Sequence, residues 1–142
     1  WLDRLVAEGL DPSRPTFVLW EGVTYYLEPE AVAATLDAVA DLASGSRVAF
    51  DYFSRGWVEG SDAPLIVRVM RPALRLTGEE WTFGIPTTPD PRSEAERFVE
   101  SRGLVLKRWA WYGARQKPFG GLVLAAVPSA PLAPAADRAH HG

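Results

Sequence analysis

Apolar positions along this chain follow two rhythms. Thr16-Phe17-Val18-Leu19-Trp20 is a short apolar run without polar alternation, the pattern of a strand covered on both faces. From Pro29 to Ala43 the spacing changes. Val32, Leu36, Val39 and Ala43 recur as one stripe while Glu30, Asp37 and Asp41 lie off it, which predicts an amphipathic helix. Pro29 suits its first position, and Ser44-Gly45 stops it, glycine being free to take the left-handed cap conformation. A second apolar run, Arg47-Val48-Ala49-Phe50, is closed by Asp51-Tyr52-Phe53. Strand, helix, strand within this length predicts a βαβ unit with parallel strands and a right-handed crossover.

The flanking stretches extend this frame. Trp1, Leu2, Leu5 and Val6 recur at roughly helical spacing, Gly9 caps that phrase, and Asp11 to Pro15 is a turn by composition. Ser54 to Gly60 reads as a polar loop, and Asp62-Ala63-Pro64 opens a helix through Leu65, Val69 and Leu76 that Thr77-Gly78 ends. Arg68, Arg71 and Arg75 share helical spacing there and read as one solvated face. Trp81 to Pro86 is short and extended, Pro86 to Arg92 is a connecting loop, and Ser93 to Arg102 is helical with Ala95, Phe98 and Val99 inward. Leu104 to Tyr112 and Gly120 to Val127 read as an antiparallel pair joined by Gly113 to Phe119. Trp109 and Trp111 alternate on the first of these strands and read as structural. After Val127 periodicity vanishes, and residues 128–142 are expected to form a disordered tail. The fold class is therefore α/β: a parallel βαβ unit, a helix pair and a closing antiparallel hairpin.

Composition narrows the chemistry. With 142 residues the chain is long enough to bury a core, and 47% hydrophobic with 23% charged residues is ordinary for a globular domain. A formal charge of −3 gives no electrostatic reason to expect nucleic acid. Without cysteine, a disulfide, a thiolate metal site and a cysteine nucleophile are excluded. The two histidines, His140 and His141, stand together in the tail, so serine–histidine catalysis and a histidine-built zinc site have no material, and no metal is expected. No apolar run approaches the roughly 20 residues of a membrane span. A cytoplasmic location is the expectation. The chain opens on Trp1, which reads as processing or truncation upstream.

Candidate chemistry gathers where the first strand ends. Glu21-Gly22 puts a carboxylate and an unrestricted backbone at the carboxyl end of a parallel strand, where open α/β sheets bind their ligands. Asp51 ends the second strand at the same edge. It is either a general base for a hydroxyl acceptor or the anchor of a loop amide. Tyr25, Tyr26 and Tyr52, with Trp57 from the following loop, are candidates to frame an apolar acceptor pocket; each also suits core packing.

The pattern P-T-x-x-L-W-E-G-x-x-x-Y-L, a P-E-A-V helix and G-S-R-V-A-F-D-Y-F resembles the leucine carboxyl methyltransferase-like group of class I S-adenosylmethionine-dependent methyltransferases, including bacterial O-methyltransferases of secondary metabolism. W-T-F-G-I-P at Trp81 to Pro86, R-G-L-x-L at Arg102 to Leu106 and F-G-G-L-V-L-A at Phe119 to Ala125 continue the likeness. The resemblance implies the C-terminal half of a doubly wound Rossmann-like sheet, with residues 1–127 a partial methyltransferase domain. The family's glycine-rich cofactor turn and its ribose-binding acid have no counterpart. By this resemblance Glu21 lies against S-adenosyl-L-methionine; Gly22 is read as allowing close backbone approach there, Tyr25, Tyr26, Tyr52 and Trp57 as candidates to frame the acceptor, and Asp51 as the candidate base. The implied activity is methyl transfer to a carboxylate or hydroxyl of a small molecule, with the missing N-terminal half required or replaced by self-association. The alternative is a non-catalytic remnant or interaction module of the same ancestry.

Overall fold

The computed structural model of the chain describes residues 1–76, 80–114 and 117–129, without the side chains of Arg71, Arg75 and 113–118. The helix stop at Thr77-Gly78, the arginine face beyond Arg68 and the tail from residue 130 lie outside the described residues.

The βαβ unit forms as its periodicity requires. Strand β1 (Phe17–Trp20) pairs in parallel with β2 (Arg47–Ser54), from Phe17 opposite Arg47 to Trp20 opposite Phe50. Helix α2 (Pro29–Ala40) connects them and buries Val32, Leu36 and Val39 completely. Burying such side chains contributes about 1.5–3 kcal/mol each. Strand β5 (Lys117–Ala126) lies antiparallel against the other edge of β2, and β4 (Val105–Ala114) pairs with β5 at the far edge, giving the order β1-β2-β5-β4. The two-residue strand β3 (Gly84–Ile85) pairs in parallel with the last residues of β2. Helix α5 (Pro91–Glu100) is capped by Asp90, whose carboxylate accepts from the Ser93 amide, and buries Ala95 and Val99.

Several boundaries differ from expectation. Strand β2 runs three residues past Asp51, and α5 spans Pro91–Glu100 instead of Ser93 to Arg102. The polar loop after β2 contains a helix, α3 (Arg55–Glu59), held by the Ser54 hydroxyl accepting from the Trp57 amide and by Gly60 at φ 90°. Five residues are too few for a hydrophobic period to show. Helix α2 ends three residues before Ala43, and the hairpin strands run further into their turn than the glycines and proline suggest. A short helix, α1 (Leu2–Ala7), precedes β1, and α4 (Leu65–Leu76) follows α3 with Leu65, Ile66, Val69, Met70 and Leu76 all exposed.

The sheet is packed on one side. Val18, Trp20, Val48, Phe50, Tyr52, Val123 and Ala125 join α2 and α5 in the core. On the opposite face Phe17 is 60% exposed, Leu19 67% and Leu122 42%. The expectation that β1 is covered on both faces is therefore corrected: its second apolar face stands open among the described residues.

Tyr52 closes the packed side. It is 1% exposed, and its hydroxyl accepts from the Trp109 indole N–H at 2.9 Å. Burial raises its phenol pKa, partly offset by that hydrogen bond. The folded state therefore keeps this proton to higher pH than the unfolded chain. The associated stability is intact below the unfolded value of about 10 and is lost as pH rises from there through the folded value. Tyr52→Phe is expected to flatten this alkaline loss in urea titrations from neutral to strongly basic pH. It should also cost about 1 kcal/mol at neutrality for the lost hydrogen bond. An unchanged alkaline slope would sink the assignment.

Candidate functional site

The carboxyl ends of β1 and β2 carry a polar cluster on the open face. After Trp20 the chain must turn, and Gly22 does so at φ 74°, a left-handed conformation that side chains resist. Its amide donates to Asp51 Oδ1 at 2.8 Å, and Asp51 is only 2% exposed. The buried Thr24 hydroxyl donates to the Asp51 carbonyl, fixing a single 3-10 turn, Thr24–Tyr26, over the end of β2. That turn lays the Tyr25 ring on Phe53, centroids 4.0 Å apart and 5° from parallel. Burial raises the Tyr25 phenol pKa, and Asp51, Tyr26, Tyr112 and Glu21 add to it in that order, so Tyr25 remains a proton donor beside the carboxylates.

Two cavities flank this cluster. The first, about 450 Å³, has an apolar floor that includes Leu19, Ala49, Leu122 and Leu124, with Glu21, Asp51 and Arg108 among its lining residues. Charged groups of both signs beside an apolar surface suit a ligand that joins charged groups to an apolar body. The second, about 520 Å³, is bounded by Ser54, Trp57, Asp62, Pro64, Thr87 and Trp111. Phe119 links the two aromatic walls, its ring 5.7 Å from Phe53, 5.1 Å from Trp57 and 5.1 Å from Tyr112. Among the described residues no three histidine or acidic side chains are grouped to hold a metal.

Of the residues singled out in the sequence, Glu21, Gly22, Tyr25 and Asp51 come together. Tyr26 packs on Tyr25 at 4.7 Å but is largely exposed. Trp57 lies in the second cavity. Tyr52 does not join them: side chains alternate along a strand, so it points into the core, away from Asp51. Of the pair read as structural, Trp109 packs on the core, whereas Trp111 is half-exposed and lines the second cavity. Phe53, Phe119, Asp62 and Thr87 were missed. They converge from separate segments, and the phenylalanine closing the apolar run of β2 was the single local hint.

The chain as a whole is similar to known proteins. The leucine carboxyl methyltransferase family pattern matches residues 1–40. A putative S-adenosyl-L-methionine-dependent methyltransferase of Mycolicibacterium smegmatis is 33% identical over 109 residues, covering 72% of this chain and 35% of that protein. One from Saccharopolyspora erythraea is 37% identical over 100 residues, covering 64% of this chain and 31% of the relative. One from Mycobacterium tuberculosis is 29% identical and covers 99% of this chain and 45% of its own length. The chain thus spans between about a third and a half of these relatives. Among solved structures, a DUF574 family protein from Streptomyces avermitilis superposes with a TM-score of 0.57 at 17% identity, covering 86% of this chain and 48% of that one.

Proposed function

This chain belongs to the leucine carboxyl methyltransferase-like family of S-adenosylmethionine-dependent methyltransferases, with a Rossmann-like α/β fold, and from that premise we propose that it forms the C-terminal part of an O-methyltransferase acting on a carboxylate or hydroxyl of a small molecule. The observation that carries the proposal is the open sheet face. An apolar floor ending in two carboxylates is half of a ligand site, and the exposed Phe17 and Leu19 call for a further layer over it.

The residues fit the cofactor's chemistry. When bound, S-adenosylmethionine supplies an electrophilic methyl group on a sulfonium. Glu21 and Asp51 offset positive charge at the rim, Gly22 lets the backbone approach closely, and the apolar floor accepts an uncharged body. Transfer forms a C–O bond and breaks a C–S bond, and alignment and exclusion of water do most of the work. A carboxylate acceptor needs no base. A hydroxyl acceptor loses its proton, and Asp51 is the group placed to take it.

Calorimetric titration tests this reading. The 142-residue chain and a chimera, with the amino-terminal part of the Mycolicibacterium smegmatis relative joined ahead of Trp1, are each titrated with S-adenosylmethionine. Saturable binding is expected for the chimera, weakened by Glu21→Gln. A folded chimera that binds no cofactor would overturn it. The exposed apolar residues of α4 and the edge of β1, unpaired among the described residues, would then favour the interaction module.

A further inference from the structure

The lining of the second cavity is specific enough to name a ligand class. Asp51 and Ser54 are three residues apart on β2, roughly 10 Å at about 3.3 Å per residue; one lines the first cavity and the other the second. The rings of Phe53 and Phe119 meet edge to face there, 5.7 Å apart. Side chains three apart on a strand point to opposite faces, so Ser54 and the second cavity lie on the far side of β2 from Asp51.

Its walls are flat and its polar groups few. Trp57 and Trp111 supply two indole faces, and Pro64 and Ala63 complete an apolar surround. Phe119 backs Trp57 at 5.1 Å, which holds that indole as part of a layered aromatic wall. Against these stand one carboxylate, Asp62, and the hydroxyls of Ser54 and Thr87. Gly56 makes room for Asp62: a Cβ on Gly56 would meet Asp62 Oδ2 at 2.0 Å. The Ser54 hydroxyl already accepts from the Trp57 amide, which leaves its own proton to donate. Among the described residues the buried Trp57 Nε1 has no hydrogen-bond partner. At about 520 Å³ the cavity is of the size that holds a fused-ring ligand.

We propose that this cavity binds a planar, hydroxylated aromatic molecule, stacked on Trp57 and Trp111 with a hydroxyl donating to Asp62. The binding site stands on its own geometry, separate from the site of the methyl transfer proposed above. An extended aliphatic carboxylate fits poorly: it cannot stack, and Asp62 repels it.

The test uses the 142-residue chain without cofactor, so its outcome is independent of whether S-adenosylmethionine binds. Umbelliferone, a hydroxylated bicyclic arene, is titrated and followed by its fluorescence at mildly acidic pH, where its phenol keeps its proton. Coumarin, which lacks the hydroxyl, and decanoate are titrated by calorimetry. Saturable umbelliferone binding is expected, with coumarin weaker by about tenfold. Asp62→Asn should remove most of that preference, and Trp57→Ala should weaken both arenes by about tenfold or more. Asp62 is exposed, so its variant keeps the test sound even if Trp57→Ala fails to fold. Decanoate binding as tightly as umbelliferone would overturn the proposal. So would a cooperatively melting chain that binds neither arene, or a preference for umbelliferone that Asp62→Asn leaves intact.

Discussion

Gly120→Ala is expected to abolish cooperative folding. A Cβ at Gly120 would lie 2.0 Å from the carbonyl oxygen of Tyr52 and 3.1 Å from the Cα of Phe53, both main-chain atoms of the central strand. Side chains can turn aside, but a strand paired on both edges cannot, so the methyl must push β2 and β5 apart. Overpacking of this kind costs on the order of 3 kcal/mol, a large share of a small domain's total stability. The neighbouring glycine is constrained for a different reason. A Cβ at Gly121 would meet the Tyr52 hydroxyl at 2.5 Å, and that ring is already enclosed. Gly9→Ala is the control, since it meets nothing within 4 Å and strains only a loop at φ 105°. Thermal melts followed by circular dichroism should show a transition for Gly9→Ala and none for Gly120→Ala. A sharp, near-native transition in the latter would mean that the β2–β5 pairing is drawn wrongly.

The second large effect concerns Asp51. Asparagine keeps an oxygen that can accept from the Gly22 amide while replacing the carboxylate with an amide. If Asp51 serves only to hold the turn, Asp51→Asn in the chimera should bind S-adenosylmethionine normally. If it balances cofactor charge, affinity should fall by about tenfold, since one charge-assisted contact contributes about 1.5–3 kcal/mol. The expected result is the tenfold loss with an unaltered melting transition. Normal affinity would instead assign Asp51 to holding the turn.

Much of the fold was legible because periodicity and packing agree. The stripe of Val32, Leu36 and Val39 named both helix α2 and the face it buries. Helix α3 was not legible, since its cause is the Ser54 cap and the left-handed Gly60 rather than a hydrophobic repeat. The site divides in the same way. Glu21 and Gly22 were visible because strand ends are where α/β sheets bind ligands, whereas Asp51, read as a strand end, lies inside β2 and joins them through the Gly22 amide. Grouping Tyr52 with Asp51 overlooked that adjacent strand residues face opposite ways. The second cavity draws on residues 54, 57, 62, 64, 87 and 111. No local pattern joins positions brought together by the sheet order β2-β5-β4. The apolar run of β1 was legible in another sense: both its faces are hydrophobic, although only one is packed here.

The hydrogen bond from Gly22 to Asp51 also acts as a register pin. Phe17 and Leu19 are as apolar as Val18 and Trp20, so hydrophobicity alone discriminates weakly against β1 sliding one residue along β2. A slip would bury the wrong pair of side chains at little cost in apolar area, but it would carry Gly22 away from Asp51 and strand a buried carboxylate. A ligand that needs Glu21, Gly22 and Asp51 together binds only the correctly threaded sheet, and so draws misaligned chains toward it by mass action. In the chimera, cofactor added during refolding would act as a proofreader of strand alignment, and the yield of native sheet would rise with its concentration.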